Sequence, residues 1–185
     1  MYDIDLTPTL KEKMKSYPRT VGRYNSSELY FITKGWTTPE KFLNPENRKI
    51  EEIIKMWKGI GMHNQLEELL GKEHCEKKRE FTYKGIILVA KADHFPPSKP
   101  NEVWEFKTAD KLYPDAKPWH EHQAKLYTTM FEVDYGRIYQ PIQNEDGLYL
   151  KCLGSVERDD KWFQEQLEKL VDFHKRVEKL RKTLL

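Results

Sequence analysis

The sequence is poor in cysteine. Only Cys75 and Cys152 occur among its 185 residues. They are far apart and in no CxxC arrangement, which argues against a disulfide framework and for a reducing, intracellular compartment: the cytoplasm, or a host cell's cytoplasm if the chain is viral. Long apolar runs are lacking too. No stretch approaches the roughly 18 residues that span a bilayer, so no membrane association is expected. The opening MYDIDLTPTL carries acids and no apolar segment, so no secretory signal is expected either. Net charge is almost absent at +2. That value neither demands nor excludes a nucleic-acid partner, because local clustering of charge decides the matter. Internal repeats and low-complexity segments are missing.

What is present describes a folded chain. Aromatics make up 12%, hydrophobic residues 38% and charged residues 34%; disordered chains lack the apolar groups that offset ordering entropy. The length suffices for one domain with a real core, and no linker divides residues 1–185. Residues 1–24, with Pro8 and Pro18, are expected to be irregular. SSELYFIT (26–33) predicts a short helix, capped by Ser26 or Ser27 and broken by Gly35 and Pro39. Over 46–70, Ile50, Ile53, Ile54 and Trp57, then Leu66, Leu69 and Leu70, recur at helical spacing. Gly59 and Gly61 either divide this segment into two helices or let another backbone come close. The polar run 71–80 is expected to be loop. Lys84-Gly85 is a possible turn before the strand IILVAKAD, and the prolines of 94–102 mark a connection. VWEFKT is predicted as a strand, 119–132 as a helix, and 136–142 with 147–156 as two strands joined at 143–146. From about 159 to 183 runs an amphipathic helix. The fold class is α/β, with a core at about 25–156 and a long C-terminal helix.

One strand carries charge where burial is expected. In VWEFK, Glu105 and Lys107 stand two apart and so share a strand face, while Phe106 points the other way. Such a pair can be a plain ion pair. It can also be half of a metal site, with the carboxylate holding a hard cation and the ammonium facing a phosphate. The spacing alone is weak, because Glu76–Lys78, Asp115–Lys117 and Asp159–Lys161 repeat it in polar stretches. Three further features accompany this copy. Asp93, the only aspartate between Asp5 and Asp110, ends the preceding strand, where it either starts a turn or completes a two-carboxylate site of the kind Mg²⁺ takes. Gln123 and Tyr127 lie at i and i+4 on one helical face. His63 follows the two glycines of GIGMHNQ.

This ordered set resembles the PD-(D/E)XK nuclease superfamily. Gly59–His63, Asp93, Glu105-Phe106-Lys107 and Gln123–Tyr127 match in order and approximate spacing, most closely its RecB-type branch, which includes CRISPR-associated single-strand DNA exonucleases. SSELYFI resembles that branch's serine-bearing opening helix, so the likeness covers roughly 25–140. It implies a restriction-endonuclease-like core, a mixed β-sheet flanked by helices, that cuts DNA with Mg²⁺ or Mn²⁺. It further implies that Asp93, Glu105, the carbonyl of Phe106 and His63 hold the metal, an imidazole ligand favouring Mn²⁺. Lys107 would then orient the attacking water, with Gln123 and Tyr127 positioning the DNA strand and the lysine. The chemistry explains these residue types, since a cation neutralises the phosphodiester and a fixed ammonium acts where charge develops.

Two departures from the family pattern stand out. The CRISPR-associated branch often carries four cysteines on an iron–sulfur cluster; two cysteines cannot supply them, so no cluster is expected, and the long C-terminal helix is a candidate for its stabilising role. Ala90 stands where the family often has glycine. Around the site, Lys91, His94, Lys99, Lys111, Lys117, His120 and His122 are candidates for phosphate contact, and Trp119 for stacking on a base; the alternative is solvated loop charge and a packing tryptophan. The outer face of the terminal helix reads as solvated, and its apolar stripe is a candidate homo-oligomer surface. The functional expectation is a metal-dependent deoxyribonuclease acting on single-stranded DNA or DNA ends. The alternatives are a non-catalytic nucleic-acid-binding subunit on the same fold and a restriction-type endonuclease.

Overall fold

In the computed structural model, residues 7–15 and 19–184 are described. The chain forms α1 (Thr7–Met14), β1 (Arg23–Asn25), α2 (Ser26–Thr33), α3 (Pro39–Leu43), α4 (Ile50–Leu70), β2 (Cys75–Tyr83), β3 (Ile86–His94), β4 (Glu102–Phe106), α5 (Pro118–Phe131), β5 (Tyr135–Asn144), β6 (Gly147–Glu157) and α6 (Asp160–Leu184). Six strands make one mixed sheet in the order β1-β3-β4-β5-β6, with β2 also paired to β3. No described helix is long and apolar enough to cross a membrane.

The elements follow from local chemistry. β2 and β3 form a hairpin through Lys84-Gly85, both at positive φ (43° and 83°), the backbone a tight two-residue turn needs. β5 and β6 turn at Glu145-Asp146, where the Asn144 side-chain oxygen accepts the N–H groups of Asp146 and Gly147. Along α6 the apolar residues recur at three and four, and Phe163, Leu167, Leu170, Val171, Phe173 and Val177 are buried. They join Leu29 and Ile32 of α2, Leu126, Tyr127 and Met130 of α5, and Ile86, Leu88, Ala90 and Ala92 of β3 in the main core. The stripe proposed for oligomerisation therefore lies inside the chain's own core and is not available to a second copy.

Three expectations need correcting. Within the expected irregular region 1–24, α1 and β1 form; Pro18 lies outside the described residues. The polar run 71–80 is largely not loop but the first part of β2, exposed on both faces. Pairing with β3 along eight registered positions overrides a composition that avoids strands, and the charges protect an open edge from pairing with another chain. Gly59 and Gly61 do not divide α4. A Cβ on Gly59 would lie 2.9 Å from Thr108 Oγ1, whereas one on Gly61 would meet nothing within 4 Å. Only Gly59 permits the close approach of α4 to the end of β4.

Candidate active site

The sheet opens where β3 meets β4. These antiparallel strands register only at His94 opposite Trp104; one residue further along each strand, that register sets Asp93 across from Glu105. On the other edge of β3 the ladder with β2 passes from Cys75–His94 to Lys77–Ala92 without pairing Glu76 to Asp93, and Glu76 takes a positive φ of 51°. Backbone groups left by this opening are satisfied by side chains. Asp93 Oδ2 accepts the Phe106 N–H at 2.6 Å. The Tyr127 hydroxyl donates to the Lys91 carbonyl at 2.8 Å. Two residues singled out in the sequence thus close the gap between strands.

From Tyr127 a relay of contacts leads to the charged pair. Gln123 Nε2 donates to the Tyr127 hydroxyl at 2.6 Å, and Gln123 Oε1 accepts from Lys107 Nζ at 2.9 Å. Lys107 Nζ also donates to Glu105 Oε1. Lys107 lies one residue past β4, yet its N–H continues the ladder to the Tyr139 carbonyl at 2.8 Å, so the ammonium springs from fixed backbone. His63 of α4 brings Nδ1 within 3.5 Å of Asp93 Oδ1, its ring edge-on to Phe106. The residues from β3, β4, α4 and α5 meet at one place, beside a cleft of about 360 Å³ lined by His63, Glu76, Glu105, Phe106 and Lys107.

The electrostatics are those of crowded, desolvated acids. Glu105 is only 4% exposed, and burial, followed by the nearby Asp93 charge, pushes its carboxyl up to about 8. Burial raises Asp93 to about 6, against the lowering pull of the Phe106 N–H. His63 is pushed down, first by burial, which keeps the imidazole neutral and free to act as a ligand. The Tyr127 hydroxyl is raised well above its ordinary value by burial and stays a donor.

Do these residues fit a divalent cation? Glu105 Oε2 is buried with no hydrogen-bond partner, a costly state for a carboxylate oxygen. Asp93 Oδ1 lies 3.5 Å from Nδ1 of the half-buried His63, and the Asp93 carboxyl adjoins that of Glu105. A hard cation between them would satisfy both oxygens and stabilise the ionised forms that burial disfavours. Among the described residues no group of three or more His, Cys, Asp or Glu side chains converges as a ready-made cage. The donor set therefore suits an ion that binds through one or two carboxylates and completes its shell with carbonyl, water and substrate oxygens, as Mg²⁺ does.

The other candidates are placed less uniformly. Lys91 is exposed and paired with Glu76 at 2.5 Å. Lys99 is exposed and lies 3.8 Å from Glu102. Trp119 is half-buried against Tyr30, Phe31 and His120. His120 is buried, accepting the Lys117 N–H at the start of α5; burial and then Lys107 press it down to about 4. His94 and His122 are buried as well, against Cys75 Sγ and Gln166 respectively, so neither presents its ring to a phosphate outside. Lys111 lines a second pocket of about 430 Å³ with Lys58, Met62 and Tyr113; this pocket shares Lys55, Gly59 and Thr108 with the cleft. Sequence reading missed Glu76, which looked like solvated charge, and Ser26, whose hydroxyl lies 3.5 Å from that of Tyr127. The serine-bearing helix was the signal for Ser26; for Glu76 there was none, because its place follows from the irregular β2–β3 register.

No family model matches the sequence, and no curated protein matches it. Solved structures do match. A phage-related exonuclease from Haemophilus somnus 129PT superposes with a TM-score of 0.63 at 12% identity, covering 91% of this chain and 98% of that one. An alkaline exonuclease from Laribacter hongkongensis gives 0.55 at 10% identity over 96% and 97% of the two chains. The same enzyme in complex with dAMP gives 0.53 at 11% identity over 89% and 94%. The chain has the fold of these exonucleases.

Proposed function

We propose that this chain is a divalent-metal-dependent deoxyribonuclease that hydrolyses phosphodiester bonds in single-stranded DNA or at DNA ends. The observation that carries the reading is the meeting of Glu105 and Lys107 at one cleft with Asp93 just behind it, bonded to the Phe106 N–H and near His63, and with Glu105 Oε2 buried and unpartnered. The fold shared with two exonucleases supports it. A bound Mg²⁺ or Mn²⁺ supplies charge neutralisation of the phosphate and a more acidic attacking water. Asp93 and Glu105 would hold the ion, with the Phe106 carbonyl, and His63 after a small approach, as further candidate ligands. Oδ1 would be the freer of the two Asp93 oxygens, because Oδ2 accepts the Phe106 N–H.

Lys107 provides the positive charge at the reacting phosphate. Gln123 accepts one of its three N–H bonds and Glu105 another, which leaves the third for the water or a non-bridging oxygen. Pre-orientation of this kind costs no reorganisation at the moment of reaction. Gln123 is held in turn by Tyr127, and Tyr127 by the Lys91 carbonyl, so the ammonium is indexed to β3.

The test is cleavage of 5′- and 3′-labelled single- and double-stranded DNA in Mg²⁺, Mn²⁺ or EDTA, wild type beside Glu105→Ala. Metal-dependent cutting lost in the variant is the expected result, and the label pattern gives polarity. DNA binding without cutting in either metal overturns the reading in favour of a non-catalytic binding subunit.

A further inference from the structure

A file of aromatic rings runs from the surface to a pocket beside the cleft. Trp36, in the loop after α2, packs its ring 5.7 Å from Tyr30 and 5.8 Å from Phe31. Tyr30 and Phe31 lie 6.3 and 6.2 Å from Trp119. Trp119 lies 5.6 Å from His120, and His120 5.8 Å from Tyr113. Tyr113 lines the pocket that shares Lys55, Gly59 and Thr108 with the catalytic cleft. That pocket includes Thr108, the residue next to Lys107, so the inner end of the file borders the cleft of the charged pair.

Packing of α2 against α5 does not account for this file at its outer end. Trp36 is 57% exposed, although the edges of two rings fix its orientation. Lysines accompany the rings: Lys34 Nζ lies 5.9 Å from the Tyr30 centroid and Lys117 Nζ 5.2 Å from that of Tyr113. Lys34 has no carboxylate partner among the described ion pairs. The inner end is rigid. Buried Gln140 accepts the Tyr113 N–H at 2.8 Å and donates to the Lys111 carbonyl at 2.9 Å, while Lys151 Nζ donates to the Tyr113 carbonyl at 2.8 Å.

We propose that Trp36, Tyr30, Trp119 and Tyr113, with Lys34 and Lys117, form a stacking track that guides one unpaired nucleic-acid strand to the Lys107 end of the cleft. Rings with ammonium groups beside them are the combination that holds single strands without reading sequence: bases stack on the faces and phosphates meet the cations. A duplex, whose bases are already stacked, gains only from the lysines. The proposal rests on the nuclease reading and gives its substrate a path.

The experiment separates the two. Binding of fluorescent oligothymidylates of increasing length, and of a duplex, is measured in EDTA; cleavage is measured separately in Mg²⁺ and Mn²⁺. The expected result is affinity for single strands that rises with length and then levels. Trp36→Ala weakens the longer strands by about tenfold, Trp36→Phe restores most of the loss, and neither alters duplex affinity. Lys34→Gln flattens the salt dependence by about one phosphate contact. Cleavage that depends on Glu105, with strand affinity and salt dependence unchanged in Trp36→Ala and Lys34→Gln, overturns the track and leaves the nuclease intact. Trp36-dependent strand binding without cleavage upholds the track and overturns the nuclease. Absence of both binding and cleavage overturns both.

Discussion

Lys107 Nζ and Gln123 Oε1 lie 2.9 Å apart, so the ammonium of a residue just beyond a strand is aimed by an amide on a helix. Replacing Lys107 with alanine is expected to lower cleavage by about 10²–10³-fold, the usual cost of removing one fixed charge from a reacting centre. Gln123→Ala leaves the charge but frees its direction and should cost roughly 10- to 100-fold, in kcat more than in KM. Steady-state kinetics on one labelled oligonucleotide checks both. Equal losses in KM alone would mean that Gln123 binds substrate rather than aims the lysine.

The carboxyls predict an unusual pH dependence of stability. Asp93 and Glu105 sit at about 6 and about 8 in the folded chain, against ordinary values of 3.8 and 4.5. At these two positions the native state therefore holds more protons than the unfolded state between about pH 4 and 8. Their contribution to metal-free stability is fully present below that window and is lost as pH rises through it, while His120 and His122, both pressed down to about 4, act in the opposite sense up to about pH 6.5. Added Mg²⁺ or Mn²⁺ should restore stability most at the alkaline end, where the carboxylates are ionised. Thermal unfolding at pH 7 and 9, above the range in which His120 and His122 titrate, with and without metal, reads the Glu105 contribution directly; a metal-free melting temperature that climbs from pH 7 to 9 would sink the account.

Glu105→Gln separates stability from activity. The amide keeps an oxygen for Lys107 but removes a buried charge whose other oxygen has no partner. At pH 8 the metal-free variant should melt above the wild type, lose the stabilisation given by divalent ions, and cut no DNA. A lower melting point would show that the pair with Lys107 stabilises more than desolvation costs.

Tyr127→Phe removes one hydroxyl and takes a partner from three groups, the Lys91 carbonyl, the Gln123 amide and the Ser26 hydroxyl. The expected cost is about 1–3 kcal/mol in urea unfolding. Activity should drop with the same kcat signature as Gln123→Ala, because the disturbance reaches the lysine through Gln123.

Gly136→Ala tests how closely α5 must approach the sheet. The added Cβ would lie 2.8 Å from the Ala124 carbonyl oxygen and 3.0 Å from Val156. Backbone on the facing side yields poorly, so a loss of roughly 1–3 kcal/mol is expected. Since Ala124 adjoins Gln123, residual cleavage should fall by more than stability alone explains. A variant as stable and active as wild type would mean that α5 shifts freely.

How much of this was legible in the residues varies with the kind of signal. α6 was readable because a period of three to four residues survives in its apolar positions, and β4 because a short run of β-formers follows a proline-rich connection, although it is buried on both faces and shows no alternation. The grouping of Asp93, Glu105, Lys107, Gln123 and Tyr127 followed from local spacing together with a family resemblance, and the fold brings all five to one place. β2 was not readable: exposed on both faces, it has no alternation, and only its pairing with β3 makes it a strand. Nor was the seam between β3 and β4, which pair only at His94 and Trp104, nor the skipped β2–β3 register at Glu76. Ser26 touches Tyr127 across 101 positions, a distance no local pattern spans. Pro8 lies within a helix expected to be irregular coil, since proline is tolerated in a first helical turn.

The seam has one further consequence. The Phe106 amide is protected from solvent by a carboxylate oxygen, not by a ladder carbonyl. Its hydrogen-exchange rate is therefore set by the charge on Asp93: slow when the acid is ionised and accepting, faster when it is protonated. A single backbone amide thus serves as a built-in gauge of the site's ionisation and ion occupancy, one that can be read in the resting protein with no DNA present.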